Sequence, residues 1–168
     1  MSNKKKMIGI LLVLFCLLGA ALYWYFHPKS TKEEFKEDIH AVGYNPNIEK
    51  PENFTKDQVA LPGFPDLYVE EGATETNMAL MNPAFNEAYL KYTVIFDQTN
   101  KNLIETEGIA PGKAVKGFKI PEGLNPGEYP LTINIKTYDK QTKATLNGGA
   151  SHIKLIVYEK KTEETSTK

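Results

Sequence analysis

Residues 88–96 read AYLKYTVIF, with apolar side chains recurring at every second position. A period of two belongs to the extended chain, whose side chains alternate between the two faces of a sheet. Leu90, Tyr92, Val94 and Phe96 therefore point one way, and Tyr89, Lys91, Thr93 and Ile95 the other. The same alternation sets Leu131, Ile133 and Ile135 against Thr132, Asn134 and Lys136, and Ile153, Leu155 and Val157 against His152, Lys154 and Ile156. Weaker strands are predicted over 67–70, 76–81, 103–107 and 115–120, with Gly117 at a bulge.

The connections carry turn chemistry: Asn82-Pro83-Ala84-Phe85-Asn86, Asp97-Gln98-Thr99-Asn100, Pro111-Gly112 and Asn147-Gly148-Gly149. No amphipathic helix of crossover length separates the strands, which argues against parallel βαβ units. Seven short strands in about 100 residues predict a mainly β fold, two antiparallel sheets packed as a sandwich over residues 59–159.

Before the strand at 131 stands Leu124-Asn125-Pro126-Gly127-Glu128-Tyr129. This stretch resembles the tyrosine corner of fibronectin type III and immunoglobulin-like domains, whose pattern is carried here by Leu124, Pro126, Gly127 and Tyr129. The resemblance implies that the Tyr129 hydroxyl bonds back to nearby backbone while its ring fills the corner. The paired cysteines and core tryptophan of antibody domains are missing. Residues 61–158 are more widely similar to a family of small membrane-anchored extracytoplasmic proteins of Gram-positive bacteria, some carried on mobile or conjugative elements. The shared features are turns: Leu61-Pro62-Gly63, Asn82-Pro83 with Asn86, Ala110-Pro111-Gly112, Leu124 with Gly127 and Tyr129, and Leu146-Asn147-Gly148-Gly149. They imply an immunoglobulin-like domain and name no ligand.

Upstream, the period disappears. Residues 7–26 are twenty consecutive positions without a charge, and twenty residues of helix at about 1.5 Å each span a bilayer core of roughly 30 Å. Lys4, Lys5 and Lys6 precede this run, whereas Lys29 and Lys32 are followed at once by Glu33 and Glu34. The lysine bias leaves residues 1–6 in the cytoplasm and carries the rest outward, as a single-pass signal anchor in the cell membrane. Tyr23, Trp24 and Tyr25, with Phe26, form an interfacial aromatic belt, and His27-Pro28 ends the helix. The alternative is a cleaved signal peptide with small residues at Gly19, Ala20 and Ala21, which would give a secreted protein. A lipoprotein is a third option, with Cys16 after the apolar residues Val13, Leu14 and Phe15, although the bulky Phe15 departs from the small residue a lipobox needs.

Between anchor and sandwich, residues 27–58 read as a short helix and a linker. Ser30 and Glu33 have capping-box spacing, and Phe35, Ile39 and Val42 recur at helical intervals up to Gly43. Pro46 and Pro51 mark the linker, and residues 160–168 form a polar tail without an apolar residue, expected to be disordered.

Composition limits the chemistry. All 20 cations are lysine, and the only cysteine, Cys16, lies in the anchor. The exported part loses three lysines and none of the 21 acids, a net charge of about −4, which excludes a nucleic-acid surface. His27, His40 and His152 are scattered, and no nucleophile or metal-ligand motif accompanies them. No catalytic residue, metal site or cofactor is expected. What remains is recognition: an extracytoplasmic protein partner, or alternatively cell-wall carbohydrate. The candidate surface is Tyr89, Tyr138 and Tyr158 on outward strand faces, with loops 82–87 and 140–151; ordinary β-propensity accounts for the same tyrosines.

Overall fold

The computed structural model describes residues 3–26 and 34–160; within the first segment, side chains are described for Met7, Ile8, 13–20, Leu22 and Tyr23. The chain divides into two compact units, Met1–Glu34 and Phe35–Lys168. In the first, α1 (Asn3–Phe26) is a single helix of 24 residues, about 36 Å long at 1.5 Å per residue. Its described apolar side chains, among them Met7, Phe15, Leu18 and Leu22, are exposed. Over the described residues alone, no helix is long and apolar enough to cross a membrane. The side chains of Lys4, Lys5, Lys6, Trp24 and Tyr25, the capping box at 30–33 and the tail beyond 160 lie outside the described residues.

The second unit is mainly β, built of two sheets. Its strands are β1 (Val42–Gly43), β2 (Leu67–Glu70), β3 (Ala79–Met81), β4 (Ala88–Phe96), β5 (Lys101–Glu105), β6 (Lys113–Lys116), β7 (Gly127–Asp139) and β8 (Gly149–Tyr158). One sheet has the order β1-β6-β3 and the other β2-β8-β7-β4-β5. The expected alternation holds on the inner face: Leu90, Tyr92, Val94, Leu131, Ile133 and Leu155 are wholly buried. They share one apolar cluster with Leu80 of β3 and Val115 of β6, so both sheets close over the same core. The outer face of β7 is wetter, with Asn134 and Lys136 exposed.

Four expectations change. Eight strands are described rather than seven, the eighth being β1. Pairing is not wholly antiparallel, because β2 runs parallel to β8 with Leu67 opposite Leu155 and Glu70 opposite Tyr158. No crossover helix is needed there, since five strands, β3 to β7, lie between β2 and β8 in sequence. The outer face of β4 is not wet: Lys91 is buried, its ammonium 3.0 Å from Glu105 and 3.6 Å from Glu107.

The fourth is the helix predicted through residue 42, which is absent over its described part. The chain from Phe35 to Tyr44 is an extended strap. Glu37 bridges Gly108 in parallel, and Val42 and Gly43 pair antiparallel with Ala114 and Lys113. Asp38, within the span predicted as helix, is buried. Its carboxylate accepts the backbone N–H groups of His40 at 2.8 Å and Glu107 at 2.9 Å. A side chain that caps the N–H two residues ahead competes directly with helical bonding. Ile39 is 89% exposed, so the helical spacing of 35, 39 and 42 never becomes a shared face.

Two of the turns read from the sequence have a definite geometry. β3 and β6 pair with Ala79 opposite Lys116, and pairing resumes at Glu75 opposite Lys119. One strand uses one residue more than the other, and Gly117 at φ 71° sits at that irregularity. At the corner before β7, the Tyr129 hydroxyl donates to the Asn125 carbonyl at 2.9 Å, and the Tyr129 ring stacks on Phe96 at 5.8 Å between centroids. Tyr129→Phe keeps the ring and removes one hydrogen bond of about 1 kcal/mol. Thermal melting should fall by about 4 °C; an unchanged melting temperature would show the hydroxyl to be idle.

Candidate functional site

The three candidate tyrosines do not form one surface. Tyr89 and Tyr138 are cross-strand partners at one end of the larger sheet. Tyr158 lies at the other end, opposite Glu70 and 50% exposed. Eleven residues separate Gly127, near Tyr158, from Tyr138 along β7, roughly 36 Å of strand. The first two are also covered. Phe35 packs on Tyr89 at 4.7 Å and on Tyr138 at 5.4 Å, and the Lys143 ammonium stands 4.1 Å from the Tyr89 ring centre. Tyr138 is buried, and the Tyr89 hydroxyl donates to Glu37 at 3.4 Å. This aromatic group seats the strap. Gly108 makes room for it, since a Cβ there would stand 2.5 Å from the Phe35 ring.

Loop 82–87 is structural as well. Asn82 and Asn86 are almost wholly buried. Asn82 Nδ2 donates to the carbonyls of Ala88 and Ile109, each at 2.8 Å, while its Oδ1 accepts from Asn86 Nδ2 at 2.8 Å. Asn86 in turn exchanges two 2.9 Å bonds with the Ala60 backbone. Two side-chain amides thus tie the β3–β4 connection, the 109 segment and the incoming chain together. Loop 140–151 is organised at its base by Asp139, whose Oδ1 accepts from Gln141 N, Thr142 N and the Thr142 hydroxyl. The Thr142 hydrogen bonds hold that carboxyl below the usual aspartate range.

The histidines stay apart. His152 Nδ1 is 3.0 Å from the Thr132 hydroxyl, which donates to Asp97 at 3.0 Å. The hydroxyl proton is therefore already engaged, and His152 is left as the donor to Thr132. Among the described residues, no group of three or more His, Cys, Asp or Glu is arranged to hold a metal ion. Tyr92, the largest buried polar side chain, donates its hydroxyl to the Met81 carbonyl, and burial pushes its phenol far above the usual range.

Two open clefts stand out among the described residues. One, of ≈ 840 Å³, lies between residues 54–61 and the β7–β8 loop, and is lined by Phe54, Asp57, Gln58, Leu61, Thr145 and Asn147. The other, of ≈ 450 Å³, is lined by Tyr44, Pro46, Phe64, Leu67 and, from the β3 region, Asn77 and Ala79. Neither is marked by an alternating sequence pattern. The signal that points to the second is Pro62-Gly63-Phe64-Pro65, a segment whose prolines cannot donate to a ladder and so leave the neighbouring edge uncovered. No protein-family model matches the chain, and no curated protein matches it.

Proposed function

We propose that this is a non-enzymatic, single-pass membrane protein that displays an immunoglobulin-like β-sandwich outside the cell and acts by protein contact in the cell envelope. The observation that carries the reading is the uncharged run 7–26 behind Lys4, Lys5 and Lys6, continuous with the helix α1. Tethering raises the effective concentration of the domain at the membrane, so that a weak contact suffices. The immunoglobulin-like assignment is supported by the order β2-β8-β7-β4-β5 facing β6-β3, and by the Tyr129 bond at the corner leading into β7. A second reading, a module for neutral envelope carbohydrate, is favoured by the larger cleft, whose amides, hydroxyl and Phe54 are the groups that recognise sugars.

Topology is the first test. In a Cys16→Ser background, Lys101→Cys should react with a membrane-impermeant maleimide on intact cells, and Ser2→Cys only after lysis. Labelling of Lys101→Cys only after lysis would remove the reading. An intact mass lacking residues 1–21 would replace the anchor with a cleaved signal peptide.

A further inference from the structure

We infer that the exposed edge of β3 is a strand-addition site for an extended partner segment with alternating apolar side chains and a lysine or arginine at one end. The inference rests on the contact reading above and names the surface that makes the contact.

The argument starts from which backbone groups of β3 are used. Thr76 N donates to Phe118 O, Met78 O accepts from Gly117 N, and Asn82 exchanges bonds with Lys113 O and Gly112 N. Those residues are all even-numbered. In an antiparallel ladder, alternate residues bond to the same neighbour. The odd residues Glu75, Asn77, Ala79 and Met81 therefore turn their N–H and C=O groups away from β6. Among the described residues no strand lies on that side, since β3 ends its sheet. The Met81 carbonyl is taken by the Tyr92 hydroxyl, which terminates the free edge at one end and leaves Asn77 and Ala79 as its centre.

That edge does not face open water. It forms part of the ≈ 450 Å³ cleft that Tyr44, Pro46, Phe64 and Leu67 also line. Ala79 and Met81 are half-buried. Backbone donors and acceptors beside apolar walls are what an added strand satisfies: its main chain supplies the missing bonds, and its alternate side chains enter the cleft. The chain's own upstream segment does not fill the place, because residues 67–70 pair with β8 in the other sheet.

Charge selects the occupant. Asp66 is the one charged residue among those lining the cleft; its Oδ1 accepts from Lys154 N at 2.8 Å, while the Lys154 ammonium is engaged on Glu128 at 2.7 Å. Glu75, on the same outward edge as Asn77, stands opposite Lys119. The nearby Lys116 ammonium is engaged on the Tyr44 ring at 5.2 Å. A segment bearing a cation beside its apolar residues complements this rim.

The test uses the full chain in detergent micelles with two synthetic peptides, KTVTVTVK and ETVTVTVE, followed by hydrogen exchange and titration. Binding of the lysine peptide should slow exchange of the Asn77 and Ala79 amides at least 10-fold, and the glutamate peptide should bind at least 5-fold more weakly. Ala79→Pro removes an outward N–H without touching a bond to β6, so it should cut affinity at least 10-fold. Absence of binding, exchange unchanged at both amides, equal affinity of Ala79→Pro, or equal binding of the two peptides would each overturn the inference. The exchange readout on the unmutated chain decides even where the proline variant misfolds. Photo-cross-linkers at Asn77, Lys101 and Tyr158 in cells separate the two levels. A partner captured through Lys101 or Tyr158 but never through Asn77 would remove the β3 site and leave extracytoplasmic contact standing.

Discussion

Replacing Asn82 with alanine is expected to lower the stability of the β domain by about 4 kcal/mol, the sum of orphaned buried groups at roughly 1–3 kcal/mol each. The side chain makes three bonds at 2.8 Å from a site that is 1% exposed. Its loss strands the Ala88 carbonyl and one hydrogen of the Asn86 amide. The Ile109 carbonyl fares better, because Leu90 N still donates to it at 3.2 Å. The backbone bonds of residue 82 to Lys113 and Gly112 do not involve the side chain, so the register of β3 on β6 should survive. With a urea m-value of about 2 kcal/mol/M, the unfolding midpoint should fall by about 2 M. Asn82→Asp should be at least as damaging, since it keeps an acceptor where donors are needed and turns a carboxylate toward two carbonyls. Asn134→Ala, on the exposed outer face of β7, should stay within about 0.5 kcal/mol of the parent. A midpoint shift below 0.5 M for Asn82→Ala would mean that water replaces the amide, and that the buried network is not what fixes the β3–β4 connection.

The physical reason that the strands were legible and this network was not is a difference of range. Leu90, Tyr92, Val94 and Phe96 declare their face by spacing alone, because alternation is a property of one strand. The same holds for Leu131, Ile133 and Ile135, and the inner faces of β4, β7 and β8 follow it. Asn82 and Asn86 look, one residue at a time, like any turn asparagine. Their role depends on Ala60 and Ile109, 26 and 27 residues away, and no local pattern reports such distances. The strap fails for the same reason. Phe35 finds Tyr89 and Tyr138 on distant strands, and the 35, 39, 42 spacing offers a helix that these contacts override. The Tyr129 bond is within reach of a local pattern because it closes over four residues, from Tyr129 to Asn125. Of the candidate surface, only Tyr158 keeps a large exposed area; the cleft beside β3 is assembled from three segments, and its sequence trace is a pair of prolines.

The second large effect belongs to Gly148, in the loop whose Asn-Gly-Gly content suggests a pliable binding tip. A Cβ built on Gly148 would stand 2.2 Å from the Ile135 carbonyl oxygen and 3.3 Å from its carbon. Both are backbone atoms of β7, and Ile135 is the direct partner of Gly149 and of Tyr92. Nothing there can swing aside as the end of a side chain would. Either the start of β8 lifts from β7, or β7 shifts against β4. The Thr137 hydroxyl bond to the Asn147 carbonyl, at 2.6 Å, pins the neighbouring residue and removes the easiest route of escape. Gly148→Ala should therefore cost about 3 kcal/mol, at the upper end of ordinary overpacking, and hydrogen exchange should quicken first at 147–151. Gly63→Ala is the matched control: no atom lies within 4 Å of its Cβ position, and its melting temperature should stay close to the parent's. If Gly148→Ala also melts like the parent, the loop is free to move away from β7. A tip that mobile would restore 140–151 as a recognition loop, with the larger cleft at its base as the place where a sugar would sit.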